Sequence, residues 1–491
     1  MDNGSLGSAF ARGTLWSVGL RWTLKLIGLI STIVLARLLS PGDFGIVAIA
    51  SLCVSFFDLI FSMNSDAVVL RDANASKSLI DSAWTLKVLE GLGVAVAIAL
   101  ISPVAALFFH EPRLVPVLLA LCGGIAISGF ASYGPMLARK DLDFGLEVRL
   151  AVVSKVITFA ITVGVAYWLR SYWALVIGTV AGYATGCALT YLFHNYRSSF
   201  TLSRVPEIWN FSQWLLLSNI GQFFTRKTDE FLVARMSTTS EMGLYSVASD
   251  LGQTVSLELS APMNRALLPV LAQLSSSTQR MQGAVSKLLS AANILILPAG
   301  FGLAAVSERA VEVLLGAKWA PAAPLLAMFS IAWALRYMAG PYPVMLIVKG
   351  KSRVIGILTW AEAAVLIVLA LALASRGVYG LAWARTIAAV AALLMWVGIG
   401  PSIGLDVKKF VEATWRPLCG ALLMFGLLRV LPEEFWLPFS WADLLARILV
   451  GAFVYTAWII GTWQMLKRPD GLEARVIALL GTMLADLRRR F

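Results

Sequence analysis

The 491-residue chain is poor in charge, cysteine and histidine: Asp, Glu, Lys and Arg make up 14% of it, with four cysteines and two histidines. Soluble proteins carry about 25% charged residues, and a chain this long would need that charge to cover its surface. A cytosolic enzyme and a disordered scaffold are therefore excluded. Cys53, Cys122, Cys187 and Cys419 lie in apolar runs with no CxxC or Cys/His spacing, which argues against disulfides and metal sites. His110 and His194, each at the end of an apolar stretch, leave little for zinc chemistry or a catalytic triad. A cleavable signal peptide is not expected: Arg21 and Lys25 interrupt the first apolar run, which is also too long for an h-region.

What the chain has is hydrophobicity, 59% of residues with a mean hydropathy of +0.79. The net charge of +12 then reads as cytoplasmic loops facing anionic lipid, not as a nucleic-acid surface. A span needs roughly 20 mainly apolar residues. Spans are expected near 14–38, 44–63, 84–109, 114–137, 146–168, 172–193, 212–235, 242–262, 284–306, 322–347, 354–374, 379–399, 414–431 and 443–465. Period-2 segments of a barrel are absent, so the fold class is an all-α polytopic membrane protein of about 14 helices.

Lys and Arg alternate between connections. Those after odd-numbered spans hold only Arg113, Arg170, Arg309, Lys318 and Arg376. Those after even-numbered spans hold most of the rest, among them Arg71, Arg139, Lys140, Arg197, Arg204, Lys349, Lys351 and Lys408. Both termini are therefore expected in the cytoplasm. Residues 471–487 read as an amphipathic helix ending in Arg488–Arg490, suited to lying on anionic lipid.

The chain also repeats itself. Val34–Ser51 (VLARLLSPGDFGIVAIAS) aligns with Leu232–Ser249 (LVARMSTTSEMGLYSVAS) at an offset of 198, pairing Arg37 with Arg235, Asp43 with Glu241 and Gly45 with Gly243. Six spans precede the polar break at 195–210, so the halves share an orientation. The expected organisation is a six-helix bundle over 1–194, a linker over 195–210 and a second bundle over 211–400. Two further helices follow over 401–465 and a basic tail over 466–491. The two bundles would enclose a central cavity.

Charges inside spans cost on the order of 2.5–3.5 kcal/mol each and usually face a cavity. Arg21 and Lys25 are four apart on one helical face, two like charges that suit an anionic visitor. In the seventh span Asn219, Gln222, Arg226 and Asp229 share a stripe, with Lys227 beside it and Arg226–Glu230 spaced for an internal pair. Arg336, flanked by Trp333 and Tyr337, suits phosphate or sugar. These residues form the expected substrate site. Glu362 and Arg385 on neighbouring spans could neutralise each other, and Asp58, Asp250 and Glu258 are candidates for coupling to a proton or sodium gradient. No catalytic residue, metal site or cofactor is expected.

Three segments carry a family resemblance: Thr14–Ser51 (TLWSVGLRWTLKLIGLISTIVLARLLSPGDFGIVAIAS), Pro135–Phe144 (PMLARKDLDF) and Tyr379–Arg385 (YGLAWAR). With them the chain resembles the polysaccharide-transport flippases of the multidrug/oligosaccharidyl-lipid/polysaccharide exporter superfamily. The resemblance implies movement of an undecaprenyl-pyrophosphate-linked oligosaccharide across the bacterial inner membrane, driven by a cation gradient. A polysaccharide polymerase and a chain-length regulator would be partners. A peptidoglycan-precursor flippase and a multidrug/cation antiporter share the fold and stand as alternatives. A membrane-embedded glycan polymerase or ligase would need a large odd-numbered loop, and the longest, 307–321, is too short.

Overall fold

The computed structural model describes residues 22–72, 75–140, 144–274, 277–432 and 440–466. Arg21 and the expected tail helix lie outside them. The described residues are helical throughout, joined by short connections.

Helix α1 (22–38) leads into α2 (Pro41–Phe61), α3 (Ser65–Arg71) and α4 (Lys77–Phe108). Then come α5 (Leu114–Gly129), α6 (Gly134–Lys140), α7 (Phe144–Leu169), α8 (Trp173–Phe193) and α9 (Val205–Met236). α10 (Thr239–Gln273), α11 (Thr278–Ala305), α12 (Ser307–Leu314), α13 (Ala322–Tyr337) and α14 (Pro341–Val348) follow. The chain continues through α15 (Ser352–Leu373), α16 (Gly377–Ile399), α17 (Val407–Val430) and α18 (Ser440–Met465). Each of the fourteen expected spans falls on one of these helices or on a broken pair, α5 with α6 or α13 with α14.

By length and composition alone, nine described segments could cross a membrane, or ten if the α5–α6 pair, bent by 51°, is one span. The stretch 352–403 counts once there although it holds both α15 and α16, which are joined through a short 3-10 turn. The helices α9 and α10, the most polar of the long helices, do not pass the same test.

The chain forms two compact units, 1–246 and 247–491, whose boundary falls inside α10. In the first, α4 packs on α5, α7 on α8, and α2 on α4 and α9. The connection 194–204 is strapped to α4: Tyr196 and Ser199 donate to the buried Asp81 at 2.8 and 2.6 Å, and the Thr201 amide donates to Thr85 at 3.0 Å. Trp84 packs against Phe200 with ring centroids 4.8 Å apart. In the second unit α11 packs against α13 and α17, α15 against α16, and α17 against α18. Ile296, Leu297, Tyr342, Met345 and Ala421 are fully buried in its core.

The internal repeat takes physical form in the first unit. Ser40 caps α2 in a reciprocal box with Asp43, and Pro41 at the first turn supplies a preset backbone angle. The equivalent Thr238 and Glu241 build the same box at α10: the Thr238 amide donates to Glu241 at 2.9 Å and the Glu241 amide to Thr238 Oγ1 at 3.2 Å. The two helix starts meet backbone to backbone. A Cβ at Gly45 would lie 1.7 Å from the Thr239 carbonyl oxygen, and one at Gly243 would lie 1.8 Å from that of Pro41. Pro41 and Thr239 are themselves repeat equivalents, so the contact is reciprocal, as across a two-fold axis. Only glycine allows this approach.

Candidate functional site

The charged stretch of α9 lies in the first unit, and packing divides it. Lys227 Nζ donates to both carboxylate oxygens of Glu230, at 2.8 and 2.7 Å. Glu230 is buried at 7% exposure. Asp229, 1% exposed, accepts a 2.5 Å hydrogen bond from the buried Tyr245 hydroxyl. Asn219 is half-buried, whereas Gln222 and Arg226 are exposed. The expected stripe therefore twists from the surface at Arg226 to the interior at Asp229. An interaction at i,i+3 (Lys227–Glu230) forms beside the i,i+4 spacing that the sequence offered to Arg226.

Elsewhere in this unit Lys25 is exposed on α1 and Asp58 on α2. Lys87 and Glu90, three apart on α4, turn to different neighbours. The Lys87 ammonium lies 5.5 Å from the Tyr133 ring centroid, and Glu90 accepts from the Met63 amide at 2.8 Å. Tyr133 in turn donates to Asp66 at 2.7 Å. Sequence reading missed Tyr133 and Tyr245, since a lone tyrosine in an apolar stretch carries no signal until its hydroxyl partner is known.

Arg336, Asp250 and Glu258 belong to the second unit. Arg336 Nη2 donates to Glu362 at 2.8 Å, and Trp396 Nε1 donates to the other oxygen of that buried carboxylate. Arg385, the partner expected for Glu362, stacks its guanidinium 5.6 Å from the Trp333 ring centroid. Trp333 also stacks on Tyr337, with centroids 6.0 Å apart. Glu258 is buried and Asp250 exposed.

An apolar cavity of about 630 Å³ opens between α10, α11, α17 and α18, lined by residues such as Leu295, Pro298, Met424, Gly451 and Tyr455. Arg447 is the charged group in its wall. It is held by the fully buried Asp443, one turn earlier on α18, with Nε at 3.0 Å; Arg309 of α12 reaches the same carboxylate at 2.5 Å. Gly302 and Gly451 in its wall both face Met424, and no sequence motif announces the cavity.

Charged positions within apolar helices, buried ion pairs and an apolar cavity, on a repeat-built helical frame, mark a multi-pass membrane protein. Residues 34–324 match the family described as Polysaccharide biosynthesis protein, and the chain belongs to that family. It is 23% identical over 476 residues to the succinoglycan biosynthesis transport protein ExoT of Rhizobium meliloti, covering 93% of this chain and 94% of that one. It is 23% identical over 347 residues to the lipopolysaccharide biosynthesis protein WzxC of Escherichia coli K12, covering 69% and 70%. Among solved structures, the lipid II flippase MurJ in an inward closed conformation superposes with a TM-score of 0.75 at 14% identity, covering 92% of this chain and all of that one. The family and fold expected from the sequence are both met: a bacterial multi-pass membrane transporter in polysaccharide biosynthesis, not an enzyme.

Proposed function

We propose that the chain flips an undecaprenyl-pyrophosphate-linked oligosaccharide repeat unit across the bacterial inner membrane, for lipopolysaccharide or exopolysaccharide assembly, by cation-coupled alternating access. The observation that carries this reading is the near full-length match to ExoT, a biosynthesis transport protein, on a fold that covers all of a lipid II flippase. The physical chemistry agrees with it. A pyrophosphate is a multivalent anion, and Arg and Lys in a low-dielectric site bind it strongly. Arg21, Lys25 and Arg226 are the cations proposed to meet it, with Asn219, Gln222, Lys227 and Asp229 as polar neighbours in the first unit, and Arg336 is a further proposed contact in the second. The apolar cavity beside Arg447 suits a polyprenyl tail. Asp58, Asp250 and Glu258 are the proposed coupling carboxylates. In this reading both termini are cytoplasmic, and a polymerase and a chain-length regulator act on the delivered unit.

The test is deletion of the gene, followed by assay of surface polysaccharide and of lipid-linked repeat units. Loss of polymer with accumulation of the units on the inner leaflet is expected; normal polymer without accumulation would sink the proposal. The likeness to MurJ favours one second reading, a flippase for the lipid-linked peptidoglycan precursor. Rescue of a cell depleted of its own precursor flippase would select that reading instead.

A further inference from the structure

The reciprocal contact of Gly45 and Gly243 does not stand alone. Two side-chain bonds tie the connection after α4 to the second repeat at the same end of the first unit. His110 Nδ1 faces Arg235 Nη1 at 2.7 Å, and Thr239 Oγ1 donates to Glu111 at 3.1 Å. Glu111 is also gripped by Arg113 through Nε at 2.7 Å and Nη2 at 2.8 Å, which holds its carboxyl below the usual range. Arg235 lies at the last turn of α9, its guanidinium 5.0 Å from the Phe108 ring centroid.

His110 is exposed and sits at φ 55°, in the left-handed region that few non-glycine residues occupy. Arg is always a donor, so the 2.7 Å contact is favourable only when Nδ1 is an unprotonated acceptor. Protonation removes that lone pair and sets two cations face to face. Histidine is the side chain whose ordinary titration falls between about pH 5 and 8.

We propose that the α2–α10 glycine junction is a reversible seal at this end of the unit, and that His110–Arg235 is its acid-sensitive bolt. Neutral His110 keeps the seal shut; acid on that face withdraws the bolt and lets the repeats part. The charged and titratable groups around it are Arg235 of α9, Glu111 and Arg113 of the same connection, Asp43 and Glu241 at the two helix starts, and Tyr172 after α7. Asp43 accepts from the Tyr172 amide at 2.9 Å, and Arg113 stacks over the Tyr172 ring. Glu111, held ionised by Arg113, keeps its bond to Thr239 at a pH that charges His110. Acid therefore removes one of the two bonds and leaves the other, a loosening and not a collapse.

The purpose of such a seal rests on the transport reading above, but its measurement needs no cargo. In a variant with the four native cysteines replaced, spin labels at Trp168→Cys on α7 and Met236→Cys on α9 report on the two repeats from exposed positions. The distance between them is measured by pulsed electron resonance in nanodiscs at about pH 7.5 and 5.5. The distribution should lengthen or broaden at the lower pH. His110→Gln, which keeps an acceptor but cannot titrate, should hold the short distance at both, and His110→Lys should give the long one at both. Identical distributions at the two pH values, or an unchanged acid response in His110→Gln, would overturn the proposal. Failure of the polysaccharide assay with an intact acid response would count against the cargo and leave the seal standing.

Discussion

Replacing Gly45 by alanine is the sharpest probe of the junction between α2 and α10. The added methyl would stand 1.7 Å from the Thr239 carbonyl oxygen and 2.7 Å from its carbon. A carbon–oxygen contact settles at about 3.3 Å or more, so the helix starts must move apart by about 1.6 Å. Both contacting groups are backbone, and no side-chain rotation relieves them. Overpacking of this kind costs about 1–3 kcal/mol, which lowers the closed population roughly 5- to 150-fold. The assay is disulfide trapping between Gly42→Cys and Ser240→Cys in a chain freed of its own cysteines. A Cβ at 42 would lie 3.6 Å from Ser240 Oγ, within reach of a disulfide. Trapping should be fast in the parent and slowed by about that factor in Gly45→Ala or Gly243→Ala. The double substitution should cost less than the two singles together, because the first methyl has already opened space for the second. Gly123→Ala, where nothing lies within 4 Å, is the control. Unchanged trapping in Gly45→Ala, or strict additivity, would refute the reasoning.

Three further outcomes are expected. Asp43→Ala removes the α2 capping box and the acceptor of the Tyr172 amide, and should destabilise the protein by about 1–2 kcal/mol, read as a lower thermal midpoint, with Asp43→Asn losing less. Glu362→Gln leaves Arg336 without its carboxylate; since Arg336 is 32% exposed, the loss should sit near the low end for a buried pair, about 3 kcal/mol, and an unaltered midpoint would contradict it. Arg113 lowers the Glu111 carboxyl below its ordinary 4.5, so this pair stabilises fully above that pH and is lost as pH falls through the folded value. Acid melting below about pH 4.5 should therefore be steeper in the parent than in Glu111→Gln.

Hydropathy placed each of the fourteen expected spans on a described helix or broken pair, and nine or ten described segments are long and apolar enough to cross a membrane, because a run of apolar residues records hydrocarbon contact. It located their ends less well. The helix α4 begins at Lys77, α9 at Val205 and α10 runs to Gln273, each well beyond the apolar run, because a helix does not stop where lipid does. The repeat was legible from Arg37/Arg235, Asp43/Glu241 and Gly45/Gly243; that Asp43 and Glu241 close capping boxes emerged only from the structure. That the two glycines touch each other was not legible: the contact is tertiary, and its partners are 198 residues apart in equivalent positions. The charged positions were readable for the same reason, as rare breaks in apolar runs. Their pairing was not, because Arg226 and Lys227 stand four and three residues from the same glutamate, both within helical reach of it, and only packing shows that Lys227 binds it through both oxygens.

That choice bears on where an anionic cargo would be held. Lys227 is paired with the buried Glu230, and Arg336 with the buried Glu362, so each has a structural task inside its own unit. Lys25 and Arg226 are exposed on their helices, where an anion can reach them from outside. The two kinds of cation should separate in a paired measurement of transport and thermal stability. Lys227→Ala takes the ammonium from the buried Glu230 and, with Lys227 a third exposed, should cost up to about 3 kcal/mol, with transport falling only as folded protein falls. Arg226→Ala and Lys25→Ala should retain the unfolding midpoint within about 0.5 kcal/mol, as surface changes do, and yet lose transport. Transport at the parent rate in both exposed variants, or a stable and inactive Lys227→Ala, would move the anion site from the helix surface to the buried pair.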